Sequence, residues 1–132
     1  MRLKAIGVGV LVLAAGCGGD EGPNEKRFDG ESKDVAAVVD QLQEYARLSD
    51  GPKICSELLT PQLEDHIAKS FDTPCEERVN EQLGDADTTI TVRRLDVKGP
   101  LASATVSENN GAVTGMAFIK RDGEWRISRI RG

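Results

Sequence analysis

Histidine, tryptophan and tyrosine each occur once in this 132-residue chain, cysteine occurs three times, and aromatic residues make up only 4% of it. With a lone histidine, His66, and no Cys-x-x-Cys pair, nothing has the spacing of a zinc site, and no metal or other cofactor is expected. Glu64 and Asp65 stand beside His66, but sequence neighbours on a helix point to different faces, so His66 reads as a surface residue and not as part of a catalytic dyad. A Gly-x-Ser-x-Gly elbow, a phosphate loop and a paired-carboxylate motif are all missing. Positive charge is in short supply as well: 17 Lys and Arg face 22 Asp and Glu, a formal net charge of −5 that argues against nucleic acid as a partner. There is no internal repeat, and no apolar run reaches the roughly 20 residues that a membrane-spanning helix needs.

The longest apolar run, Ala5 to Ala15, follows the basic Arg2 and Lys4 and ends on the small residues Ala14, Ala15 and Gly16, directly before Cys17. A charged start, a short apolar middle and a small-residue end are the parts of an export signal. Placed just ahead of a cysteine, they resemble the lipobox of bacterial lipoproteins, with Ala14 where that motif usually has leucine. The resemblance implies that residues 1–16 are a signal peptide, that Cys17 is acylated and becomes the new N-terminus, and that the protein is anchored to the cell membrane, facing out of the cytoplasm. Two or three acyl chains hold firmly where one is marginal. The other reading is ordinary secretion with Cys17 as an unpaired thiol.

Residues 17–33, rich in glycine and charge, lack the apolar surface to offset the entropy of ordering and read as a flexible tether. Such a chain spans roughly 20 to 25 Å, enough to hold a domain clear of the headgroups. Residues 34–132 are then one small domain. With Cys17 assigned to lipid, Cys55 and Cys75 remain, and in an oxidising compartment an even pair has one connectivity. A disulfide between them is expected, against two buried free thiols. Loss of Arg2 and Lys4 would leave the mature chain near −7, unevenly spread: residues 17–88 hold 18 acids and 7 bases, residues 89–132 hold 4 acids and 8 bases. The basic C-terminal part reads as a solvated sheet face, with complementing the acidic half or facing anionic headgroups as its other readings.

Helical spacing of three and four residues joins Val35, Val38, Val39, Leu42, Tyr45 and Ala46, predicting a helix from Asp34 to Leu48 that ends near Gly51. A second helix would contain Ile54, Cys55, Leu58 and Leu59. Thr60 before Pro61 marks the start of a third, with Leu63 and Ile67 inward. The run Thr73 to Glu76 predicts a capping box, with Thr73 and Glu76 satisfying one another's backbone amides, and Cys75, Val79 and Leu83 follow on one stripe. Beyond Gly84 the period changes. Thr88 to Val97, Leu101 to Glu108, Val113 to Arg121 and Glu124 to Ile130 read as strands, making an α+β domain with helices on one side of an antiparallel sheet.

Turn chemistry predicts the register. A two-residue loop at Asp122 and Gly123 puts Phe118 opposite Ile127 and Lys120 opposite Trp125. A three-residue loop, Asn109 to Gly111, puts Ala104 opposite Met116 and Ala102 opposite Phe118, so that small residues meet large ones on the core face. Val113, Ala117, Ile119 and Ile130 then fall on the opposite face, where a subunit interface, giving a homodimer, or partial cover by the tether or a terminus is expected.

Helices first, then a meander of strands closing on AFIKRDGEWRISRI, resemble the nuclear transport factor 2-like superfamily, which includes SnoaL-type cyclases and ketosteroid isomerase. The resemblance implies a curved four-stranded sheet wrapping the helices around a cone-shaped cavity, here lined by Leu42, Tyr45, Met116, Phe118, Trp125 and Ile127. Because a shared fold is weak warrant for activity and no catalytic motif is present, the favoured reading is a non-enzymatic envelope lipoprotein whose domain binds a small apolar ligand or a protein partner, in the cavity or on the outer sheet face. The alternative is a cavity enzyme of the isomerase or cyclase type, although the single tyrosine cannot be assigned the role that ketosteroid isomerase gives to one. No catalytic residue is assigned.

Overall fold

A computed structural model describes residues 21–109 and 111–131. The expected signal peptide at residues 1–16, the expected acylation of Cys17 and residues 18–20 lie outside the described residues. The helices come first: α1 (Gly30–Arg47), a single helical turn α2 (Gly51–Lys53) running into a π-helical turn (Ile54–Leu58), α3 (Pro61–Phe71) and α4 (Cys75–Leu83). Four strands follow, β1 (Ile90–Lys98), β2 (Leu101–Glu108), β3 (Val113–Arg121) and β4 (Glu124–Arg131), paired in sequence order as one antiparallel sheet. The α+β class and its order of elements are as the sequence pattern requires.

Local chemistry accounts for most boundaries. In α1 the three-and-four spacing buries Val35, Val39, Leu42 and Ala46 against the sheet. Thr60 caps α3 as expected, its hydroxyl accepting from the Leu63 amide at 3.1 Å with Pro61 in the first turn. The capping box at α4 does not form. The Thr73 hydroxyl donates backwards to the carbonyl of Phe71, and Pro74 occupies the cap position with no side-chain bond to the helix. The reason lies upstream, where Asp72 takes a left-handed conformation (φ +51°) that closes α3 and turns Thr73 toward the helix it leaves.

Both hairpin registers match expectation: Phe118 faces Ile127, Lys120 faces Trp125, Ala104 faces Met116 and Ala102 faces Phe118. Asp122 and Gly123 have φ of +53° and +81°, the positive pair that a two-residue hairpin turn matched to strand twist demands. Two bulges were not legible in the pattern. One at Arg93 lets Leu95 and Val97 share the inner face with Ile90 and Val92, where strict alternation would have turned Arg94 and Asp96 inward. The other, at Ser128, pairs Ile130 with the buried Met116, so Ile130 leaves the outer face on which simple alternation placed it.

The body begins earlier than the composition suggests. Asn24 is buried, Glu25–Arg27 form a 3-10 turn, Phe28 packs on the core and α1 starts at Gly30. From Gly22 onward the expected tether is therefore part of the folded body. Among the described residues, the core cluster and the groups that hold its edge all lie between residues 24 and 127. Cys55 and Cys75 are joined, sulfur to sulfur at 2.04 Å, tying the π-helical turn to the first residue of α4.

Candidate functional site

The interior is the first place to look for a site, and it is filled. Leu42, Met116, Phe118, Trp125 and Ile127, five of the six residues expected to line a cavity, belong to one buried cluster with Val35, Val39, Leu59 and Val106. Phe118 and Ile127 are at most 1% exposed, so the inner sheet face meets the helices side chain to side chain. The cavity-lining expectation is corrected here. A sheet that places alanines opposite Met116 and Phe118 makes room for these large side chains, and they fill that room within the core cluster.

Two of the six, Tyr45 and Trp125, do reach an open cleft, but on the rim. It has a volume of about 640 Å³ and lies between α1, the π-helical turn and the β3–β4 hairpin. Tyr45 donates its hydroxyl to the Glu57 carboxylate at 2.7 Å, and that carboxylate, followed by burial, raises the phenol above its ordinary value of 10.0. Trp125 donates its indole N–H to Glu31 at 3.2 Å, and Lys120 reaches the same carboxylate at 2.6 Å. Lys120, more than any other group, lowers the pKa of Glu31 below its ordinary 4.5. The phenol donates into a carboxylate, and Lys120 and the indole both donate to Glu31, so these groups satisfy one another. None is left as a free acid or base in the cleft.

A polar junction that sequence reasoning missed sits at the outer edge of β1. The Asn24 side chain donates to the Ile90 carbonyl at 2.7 Å and accepts from the Val92 amide at 2.8 Å, the two bonds that a neighbouring strand would make. Gln43 accepts from the Ile90 amide and Arg27 donates to the Val92 carbonyl. Asp40 fixes Asn24 in turn, accepting from its side chain and amide and from the amide of Glu25. The start of this sheet edge, at Ile90 and Val92, is thus closed by side chains, which shortens the template for pairing with another chain. The only sequence signal was an Asx-type residue two positions after a glycine, which is too common to single out.

The remaining surface of note is the outer face of the sheet, which no described helix covers. Its floor is a shallow trough of about 280 Å³ over Ser103, Thr105, Gly115 and Ala117, flanked by Arg129 and Arg131. His66 is exposed, with Ser70 as its polar neighbour, and among the described residues no group of His, Cys, Asp or Glu has the geometry to hold a metal ion. Nor is any described helix long and apolar enough to cross a membrane. No family model, curated protein or solved structure matches the chain.

Proposed function

We propose that this protein is a membrane-anchored lipoprotein facing out of the cytoplasm, whose domain is a non-enzymatic binding module acting through its surface. The observation that carries the reading is the division of the three cysteines. Cys55 and Cys75 are joined to one another, as an oxidising compartment permits, and Cys17 is left alone behind a charged start, an apolar run and three small residues. In this reading the acyl chains on Cys17 hold the protein to the bilayer. The arrangement of helices on a four-stranded meander supports a relationship to nuclear transport factor 2-like domains at the level of architecture.

With the interior packed, an apolar ligand enclosed between helices and sheet has no space, and binding moves to the outside of the body. The isomerase or cyclase alternative would need an ionisable group beside an open interior pocket. Among the described residues, the side chains whose pKa values depart from the ordinary, Glu31, Lys33 and Tyr45, are instead paired with Lys120, Glu21 and Glu57 at the rim and surface.

Mass spectrometry of the protein purified from its native cells tests the anchor. The expected result is a chain beginning at Cys17, carrying a diacylglyceryl group and lacking the two hydrogens lost in the disulfide. Substituting Cys17→Ala should abolish both cleavage and lipid modification. A native chain that still begins at Met1 and carries free thiols at Cys55 and Cys75 would overturn the reading.

A further inference from the structure

The outer sheet face carries charge opposite in sign to the chain as a whole. Cross-strand pairing stacks Lys98, Leu101, Ile119 and Arg126 in one row, Asp96, Ser103, Ala117 and Arg129 in the next, and Arg94, Thr105, Gly115 and Arg131 in a third. Partners in register share a face, so each row has a cation on at least one edge and small or aliphatic residues between. Strands about 4.8 Å apart put the two edges about 14 Å from each other. Arg94, Lys98, Arg129 and Arg131 are exposed. Of the two acids among these residues and their hairpin neighbour, Asp96 and Glu124, the second is paired with Arg126 at 3.5 Å. Leu101 and Val113, 55% and 59% exposed, stand among the cations. The chain as a whole has a net charge of −5, so this face is a positive surface on a negative molecule.

The point where the chain enters the body adds a second, independent constraint. Asn24 is bonded to the edge of β1, the strand that carries Arg94 and Lys98. Between Cys17 and Gly22 there are five Cα–Cα steps, which reach at most about 17 Å. That is shorter than the span expected of a tether running to residue 33. Acyl chains on Cys17 would therefore keep the β1 edge at the headgroup layer and not clear of it.

We propose that the outer sheet face docks on the anionic phospholipid headgroups of the membrane that holds Cys17, so that the domain lies against the bilayer. The inference rests on the anchoring reading above. Cations next to an anionic leaflet each strengthen attachment by about fivefold, and exposed aliphatic side chains suit the boundary between headgroups and acyl chains. A second copy is the poorer occupant, because a twofold interface sets the same patch against itself and here would oppose cation to cation.

Partition onto lipid vesicles tests this without the acyl chains, using the chain from Cys17 to Gly132 with Cys17→Ser and the Cys55–Cys75 bridge formed. It should sediment with vesicles that contain phosphatidylglycerol, stay in solution with phosphatidylcholine alone, and be released by salt. Arg129→Gln together with Arg131→Gln should weaken binding by about twenty-five-fold, while Lys69→Gln, on α3, should leave it unchanged. Equal thermal midpoints for all three proteins exclude misfolding as the cause. Failure to bind anionic vesicles, equal binding to both vesicle types, undiminished binding by the double variant, or a stable lipid-free dimer would each overturn the proposal. The anchor is read separately, in the mass of the native N-terminus, so either idea can fail alone.

Discussion

Asn24 stands in for a fifth strand at the β1 edge, and its amide is matched to that task. It presents one donor and one acceptor to the Ile90 carbonyl and the Val92 amide, while Asp40 Oδ1 accepts from both its side chain and its amide and Asp40 Oδ2 accepts from the amide of Glu25. Asn24→Ala leaves two backbone groups at a buried edge unpaired, and we expect a loss of about 2 kcal/mol in urea unfolding with the slope unchanged. Asn24→Asp should lose at least as much, since a carboxylate cannot donate to Ile90 and would face the carboxylate of Asp40. Glu31 supplies a pH dependence. Lys120 and the Trp125 indole favour its charged form, so the folded pKa lies below the ordinary 4.5. A depressed carboxylate contributes stability above its unfolded pKa and loses it as pH falls through the folded value. Wild type should therefore be more stable than Glu31→Gln at neutral pH. The gap between their thermal midpoints should close on acidification below about 4.5, and a gap that persists in strong acid would contradict the assignment.

At the scale of elements, what was legible in the sequence depends on how local the cause is. The Asp-Gly turn sets its own backbone angles and hence the register of β3 on β4, and the Thr-Pro start of α3 acts across four residues. Both could be read directly. The bulges at Arg93 and Ser128 could not, because each answers a demand from the layer above: α1 needs Leu95 and Val97 on the inner face, and an extra residue in the strand delivers them there. The capping box failed for a similar reason, since the left-handed turn at Asp72 had already committed Thr73. Another feature invisible to pattern is Gly51, buried where α2 crosses α4. A Cβ there would stand 2.2 Å from the Glu76 carbonyl oxygen, a backbone atom that cannot swing aside. Gly51→Ala should cost about 1–3 kcal/mol through forced separation of the two helices, a loss that denaturant unfolding would measure. Gly30→Ala meets no atom within 4 Å and serves as a comparison in which only the positive φ is strained.

For the whole molecule, the disulfide and the packed interior belong to the same problem of size. About a hundred residues bury a modest core, and a bridge closing a 20-residue separation limits the unfolded chain by an amount worth about 3 kcal/mol in the loop-entropy model. Reduction, or Cys55→Ala with Cys75→Ala, should lower the unfolding free energy by about that much, seen as a lower denaturant midpoint in the presence of reductant. The six-residue cavity expectation shows the limit of pattern at this scale. Inward-facing positions were identified for Leu42, Met116, Phe118, Trp125 and Ile127, but whether inward side chains enclose space or fill it depends on how closely two layers approach, and no spacing in the sequence encodes that distance.

The sequence by itself determined the order of helices and strands, the pairing of both hairpins, the cap of α3, and which two cysteines were free to meet. Each of these follows from residues within a few positions of one another or from simple counting. Only the tertiary structure decided that the segment from Gly22 onward joins the body, that Asn24 closes the start of the β1 edge, that the interior is solid, and that arginines gather on one face that no described helix covers. Those outcomes are set by contacts between segments tens of residues apart, whose free energies depend on shape and burial that a linear pattern does not carry.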